Sequence, residues 1–288
     1  MRESPCFIRA AVFLVILSPS AFAQDLPLSL EAFEAASPKA KLNVLAGIAM
    51  HSVQLPAEDT IALVKAGLLE PDRDVRRQAL MAVASRSAGP LFSGGDSKPR
   101  QERIREEWWS ENALIAELRP HVLTALGDPD PEVRLDAVKA LASMDFDIRE
   151  RELKLKAQTV DDFAAHYARE TKGYVRAEIV KSFALISQDS PRIRQVLLSA
   201  LNDPDIWVRR YALDGSKRLR LSEALPKAVE ALSDTDWEVR FKGVRVLNAL
   251  GVQAASHVEA LEEMLASETN EIVRGEIERT LSKIRKAK

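Results

Sequence analysis

A short pattern returns six times along this chain and restricts it, more than any other feature, to a stack of helical units. A turn residue, two variable positions and then Val-Arg recur in EPDRDVRRQAL (70–80), DPDPEVRLDAV (128–138), TKGYVRAEIV (171–180), DPDIWVRRYAL (203–213), DTDWEVRFKGV (234–244) and TNEIVRGEI (269–277). The pairs are Val75-Arg76, Val133-Arg134, Val175-Arg176, Val208-Arg209, Val239-Arg240 and Val273-Arg274. Successive valines are 58, 42, 33, 31 and 34 residues apart. The shorter intervals match one helical hairpin per repeat, and the first two carry insertions.

Within each copy the chemistry marks where a second helix begins. Asp72, Asp130, Asp205, Asp236 and Asn270 stand three residues before the valine, where a short side-chain oxygen can cap the free N–H groups of a helix start. Pro131 falls at the first helical position, where its missing N–H costs nothing. Apolar residues then recur with helical spacing, as in Val133, Ala137, Val138, Leu141 and Met144, or Val239, Val244, Leu247 and Leu250. A first helix with its own apolar stripe precedes these second helices, at 114–126, 193–201, 225–232 and 258–265. No strand alternation is evident, so the chain reads as all-α. The third copy departs from the pattern, with Lys172-Gly173 at the cap. Ser37-Pro38 with Lys41 forms a weaker leading copy. The last helix, rich in Arg274, Glu276, Glu278, Arg279, Lys283, Arg285 and Lys286, has the polar outer face a terminal repeat needs.

The D-x-x-V-R start, followed by an Ala-[Leu/Val] pair (Ala79-Leu80, Ala137-Val138, Ala212-Leu213), resembles the HEAT repeat, including the phycobilin lyase-like variety. The resemblance implies an α-solenoid, a right-handed superhelix of about six to seven helical hairpins, formed by residues 24–288 as a single domain. It also implies that the aspartate before each second helix and the arginine within it bridge neighbouring repeats. The ladder expected is Asp72, Arg76, Asp130, Arg134, Arg176, Asp205, Arg209, Asp236, Arg240 and Arg274, whose charge-assisted bonds would set the stacking register. The second helices are expected to line the concave surface.

Residues 1–23 read as a secretory signal peptide: Arg2 and Arg9 give a positive start ahead of a short apolar run (10–17), and Ala21-Phe22-Ala23 offers a cleavage site. The run is too short for a membrane span of about 20 residues. Export to the periplasm or medium, with no membrane insertion after cleavage, is the expectation. Cys6, the only cysteine, lies in that segment, so the mature chain must be held by packing rather than disulfides. The formal net charge is −2; losing Arg2, Arg9 and Glu3 removes a net +1. That balance argues against nucleic acid as a partner, because phosphate contacts need a basic excess. No apolar seam calls for a dimer, so a monomer is expected.

Candidate binding residues are aromatic. Trp207 and Tyr211, and Trp237 and Phe241, are spaced i, i+4 near the start of consecutive second helices, with Tyr174 in the place that Trp207 holds one repeat later. Lys181, Arg210, Lys217, Lys242 and Arg245 lie on the same helices. Such clusters suit a protein-binding hot spot, and rings in these places can equally fill gaps between repeats. An insertion near 87–112 contains Gly89-Pro90, Gly94-Gly95 and Lys98-Pro99 and leads to Trp108-Trp109. These tryptophans could anchor a partner or pin the insertion to the solenoid, with 103–118 continuing as one helix. A second insertion, near 146–156, is charged and reads as a solvated extension.

Enzymatic HEAT-like relatives match less well. Deoxyhypusine hydroxylase resembles such an array but holds iron through His-Glu pairs, whereas His51, His121, His166 and His257 are followed by Ser, Val, Tyr and Val. No glycine-rich phosphate loop or C-x-x-C appears. Phycobilin lyase-like and DNA glycosylase-like activities remain alternatives on the same scaffold, disfavoured by export, as does cell-wall glycan binding through the tryptophans. The leading expectation is a non-enzymatic protein-interaction scaffold of the cell envelope, without cofactor or metal.

Overall fold

The computed structural model describes residues 26–50, 52–53, 55–87, 116–147, 152–153, 155–186 and 188–286. Residues 1–23, read above as a signal peptide, most of the first insertion, Trp108 and Trp109 lie outside the described residues.

Among the described residues the α-helices pair into seven hairpins. These are α1 (Leu30–Ala35) with α2 (Pro38–Ala49), and α3 (Ala57–Leu68) with α4 (Arg73–Ser87). Next come α5 (Arg119–Ala125) with α6 (Pro131–Met144), and α7 (Ala157–Arg169) with α8 (Gly173–Leu185). The series closes with α9 (Pro191–Ala200) and α10 (Ile206–Leu219), α11 (Leu225–Glu230) and α12 (Trp237–Leu250), and α13 (Val258–Ser267) and α14 (Glu271–Lys286). The leading copy at Ser37-Pro38 is a full hairpin, so the array reaches the upper end of the six-to-seven expectation.

All but one of the described second helices start where a side chain satisfies orphan N–H groups. Asp72 Oδ1 accepts from the N–H of Asp74 and Val75, Asp205 from Trp207 and Val208, Asp236 from Glu238 and Val239, and Asn270 from Ile272 and Val273. Ser37 caps α2 by accepting from Ala40 N–H. The irregular third copy starts at Lys172, which contributes no side-chain cap. Its glycine has a packing reason instead: a Cβ at Gly173 would run into the Asp205 carboxylate, the cap of the next second helix.

The motif valines are the centre of the core. Val75, Val133, Val175, Val208 and Val273 are fully buried, and Val239 nearly so; each contributes about 1.5–3 kcal/mol by leaving water. Second helices stack directly on one another from α2 through α14, whereas the first helices meet far less extensively. The second-helix layer is therefore the shorter, inner side of the solenoid. Among the described residues no helix is long and apolar enough to cross a membrane.

The second insertion, expected as a solvated extension, contains a small antiparallel ladder, β1 (Phe146–Asp147) with β2 (Glu152–Leu153), in the register Phe146↔Leu153. Its base is anchored by Asp145, whose carboxylate is fully buried. That carboxylate accepts from the Arg119 guanidinium at 2.9 Å, the Lys156 N–H at 2.9 Å and the Thr159 hydroxyl at 2.6 Å. Holding both ends of the loop at one carboxylate brings its strands together.

Candidate second-helix site

Two sets of side chains share the second helices. The first is the arginine that follows each motif valine. Arg76 grips Asp128 with Nε at 2.8 Å and Nη2 at 3.1 Å; Arg134 grips Glu170 at 2.7 and 2.8 Å; Arg176 grips Asp203 at 2.7 and 2.8 Å; Arg240 grips Glu268 at 2.7 and 2.9 Å. In each case the carboxylate belongs to the following repeat. The remaining Nη1 donates to carbonyls of the arginine's own interhelical turn, as from Arg134 to Asp128 O at 2.8 Å. Lys41 makes the corresponding bond to Glu70 at 2.8 Å. Arg274, in α14, has only carbonyl partners among the described residues, Leu265 O and Glu268 O.

The expected pairing of these arginines with the cap aspartates is thus corrected: the bridging acid stands two residues before the cap. Asp128, Glu170, Asp203, Asp234 and Glu268 also accept from the backbone N–H of the cap residue, which fixes the turn. An acid five residues before the valine is present in all six copies (Glu70, Asp128, Glu170, Asp203, Asp234, Glu268), a more regular signal than the cap. The cap aspartates take different roles, with Asp130 paired to Arg73 and Asp236 to Arg210. One junction is loose: Arg209 Nη2 is 3.9 Å from Asp234.

The bridge at Glu170 has the richest surroundings. Burial alone would raise its carboxyl, but the Arg134 guanidinium, the Lys172 N–H and His166 outweigh it and bring it down to about 2. His166 lies buried 3.0 Å from Glu170. Burial holds that imidazole below its ordinary value despite the carboxylate.

The second set faces the inner side. Tyr174, Trp207 and Trp237 are 41%, 51% and 37% exposed, too open for gap-filling core residues, while Tyr211 and Phe241 pack partly against the core. Tyr174, Trp207 and Tyr211 converge on one concavity of about 210 Å³, completed by Leu135, Lys139, Ala177 and Glu178 across α6, α8 and α10. The Trp207 and Tyr211 rings are 6.3 Å apart at 32°. Trp237 and Phe241 are not among its walls. Both stand on α12, the second helix beyond the three that form the walls.

Charged candidates divide likewise. Arg210 is buried, stacks 4.5 Å from the Trp207 ring and pairs with Asp236 at 2.5 Å and Glu238 at 3.0 Å. It is consumed in holding α12, so its expected role as a partner-binding group is corrected. Lys242 pairs with Asp214 at 2.5 Å, again across repeats. Arg245 lies 5.6 Å over the Phe241 ring and, among the described residues, forms no ion pair.

The HEAT repeat family matches residues 118–145, and a HEAT repeats family matches residues 194–282. An archaeal HEAT-like repeats protein from Thermococcus onnurineus NA1 superimposes with a TM-score of 0.57 at 13% identity, over 91% of this chain and 99% of the other. Residues 118–145 and 194–282 thus carry HEAT repeats, and the chain has the fold of HEAT-like repeat proteins. The YibA protein of E. coli is similar in fold, with a TM-score of 0.61 at 15% identity over 88% of this chain and 80% of its own. An engineered protein is likewise similar, with a TM-score of 0.50 at 20% identity over 89% and 77%. No curated protein sequence matches. At these identities the likeness describes the fold alone.

Sequence reasoning missed Leu135, Lys139, Ala177 and Glu178 as groove walls. Leu135 and Ala177 both stand two residues after their valines, and Lys139 six after, so aligning the copies on the valine would have found them. Among the described residues of this HEAT-repeat protein no cluster of three or more His, Cys, Asp or Glu could hold a metal ion.

Proposed function

We propose that this HEAT-repeat protein is a non-enzymatic scaffold of the cell envelope that, as a monomer, binds a protein partner through the inner face of its second helices. The observation that carries the reading is the convergence of Tyr174, Trp207 and Tyr211 on one open groove. At about 210 Å³ the groove is smaller than the 300–1,000 Å³ usual for small-molecule sites. It suits the anchoring of one or two side chains of a partner, with exposed aromatics of the kind that dominate binding energy. The envelope location rests on the pattern of residues 1–23, and the non-enzymatic part on the histidines, none of which precedes a glutamate. His166 is buried against the bridging Glu170, a structural place.

Photo-crosslinking tests this. A photo-reactive phenylalanine placed at Tyr174 should capture a discrete partner protein in cells, and one at the exposed first-helix residue Gln195 should not. Equal capture from both positions, or none from Tyr174, would remove the inner face as the site. Glycan recognition is the weaker reading, because Trp237 does not line the groove with Trp207.

A further inference from the structure

The inner face carries a charge pattern that the groove does not explain. Six residues after the motif valines stand Lys139, Lys181, Asp214, Arg245 and Arg279, in α6, α8, α10, α12 and α14. In three of these helices the cation is neutralised by a carboxylate one turn earlier: Asp136 lies 3.6 Å from Lys139, Glu178 3.1 Å from Lys181, and Glu276 3.1 Å from Arg279. That acidic position becomes Tyr211 in α10 and Lys242 in α12. Asp214 is left as the nearby acid, and Lys242 takes it. Lys217, three residues after Asp214, and Arg245 then form no ion pair among the described residues.

Resting on the scaffold reading above, we propose that the partner segment is an acidic peptide, which sets an apolar or aromatic side chain in the Tyr174–Trp207–Tyr211 groove and its carboxylates against Lys217 and Arg245. Charge complementarity carries the choice of occupant. The cations sit together without enough carboxylates: burial lowers the Lys217 ammonium below its ordinary value, and Arg245, Arg218 and Lys242 lower it further against Asp214. An incoming carboxylate would relieve that repulsion at a partly buried point where ion pairs are screened less by salt. The geometry sets a spacing as well. Tyr211 and Lys217 are six residues apart on one helix, about 9 Å along its axis, and a neighbouring second helix adds about 8–10 Å sideways. An extended peptide covers about 3.3 Å per residue, so the carboxylates belong about three or four residues from the anchor.

A random peptide display library selected on the full mature chain tests this, with the variants Lys217→Glu/Arg245→Glu and Trp207→Ala as comparisons. The wild type should enrich peptides with Asp or Glu three or four residues from an aromatic or large apolar residue. Their affinity should fall about tenfold in the charge-reversed variant and weaken as salt is raised. Because neither replaced cation is ion-paired, circular dichroism should show that variant folded, with its melting temperature little changed. Enriched peptides that lack an acidic bias, or that bind the charge-reversed variant equally, would overturn the acidic partner while leaving the groove standing if Trp207→Ala still abolishes them. Absence of any enrichment on the wild type would remove both. Preference for a fluorescein-labelled oligothymidylate over the selected peptides would replace the peptide with nucleic acid.

Discussion

The two rows of polar side chains on the second helices differ in how they treat repetition. The arginine after the valine grips a carboxylate of the next repeat in nearly the same way at four junctions, from Arg76–Asp128 to Arg240–Glu268, and is stretched only at Arg209. The inner rows change from helix to helix: the position just before the valine is Asp74, Glu132, Tyr174, Trp207, Glu238 and Ile272. A solenoid whose repeats contact only their neighbours must solve the same stacking problem at each step, so the stacking residues recur. Recognition makes no such demand, and residues that break the repeat while staying exposed are the better guide to function.

Breaking the ladder should cost stability without regard to the groove. Replacing Arg134 by Ala leaves the buried Glu170 without its guanidinium, and loss of one partner of a buried pair costs about 3–5 kcal/mol. With the Arg134 side chain 13% exposed and Glu170 1%, the lower end, about 3 kcal/mol, is expected in urea denaturation. Acid should find the same bridge. Glu170 titrates at about 2 in the fold against 4.5 when unperturbed, so the unfolded chain binds the extra proton first. Its contribution, on the order of 3 kcal/mol, is present above about pH 4.5 and lost as pH falls towards 2. His166, held below 6.5, adds in the same direction, its stabilisation starting to fall as pH drops below that value. Arg134→Ala should flatten the acid limb of a stability–pH curve, and an unchanged slope would count against the bridge.

Smaller effects sharpen the contrast. Arg209, whose carboxylate lies 3.9 Å away, should cost only about 1 kcal/mol when changed to Ala, as exposed or stretched pairs do; a loss equal to that of Arg134→Ala would make the ladder uniform in energy. Trp207→Ala should change stability by no more than about 1 kcal/mol, since half the ring is exposed, yet abolish crosslinking from Tyr174. Arg220 closes α10 at φ 49, in the left-handed region. Arg220→Gly should raise stability by up to about 1 kcal/mol, seen as a small rise in melting temperature, and leave binding intact.

Much of the fold was legible because the signals are local. A cap bonds N–H groups two and three residues away, and an apolar stripe recurs every three or four, so Asp236 and Val239 announce α12 without reference to any other repeat. The bridging acids were just as regular but lie upstream of the cap, in the turn, where helical periodicity does not reach. The site was legible in its residue types and not in its grouping: Trp207 and Trp237 are each followed by an aromatic residue four positions on, yet only the first pair lines the groove.

From sequence alone follow the repeat, the helix starts, the buried valines and the row of arginines, since each depends on separations of a few residues along one chain. Tertiary structure alone decided that Arg134 belongs to Glu170, 36 residues away, that Arg210 is consumed by Asp236 and Glu238, and that Lys217 and Arg245 are left over. Ion pairs fall off steeply with distance and angle, so which charges meet is settled only when neighbouring helices are docked side by side at about 8–10 Å.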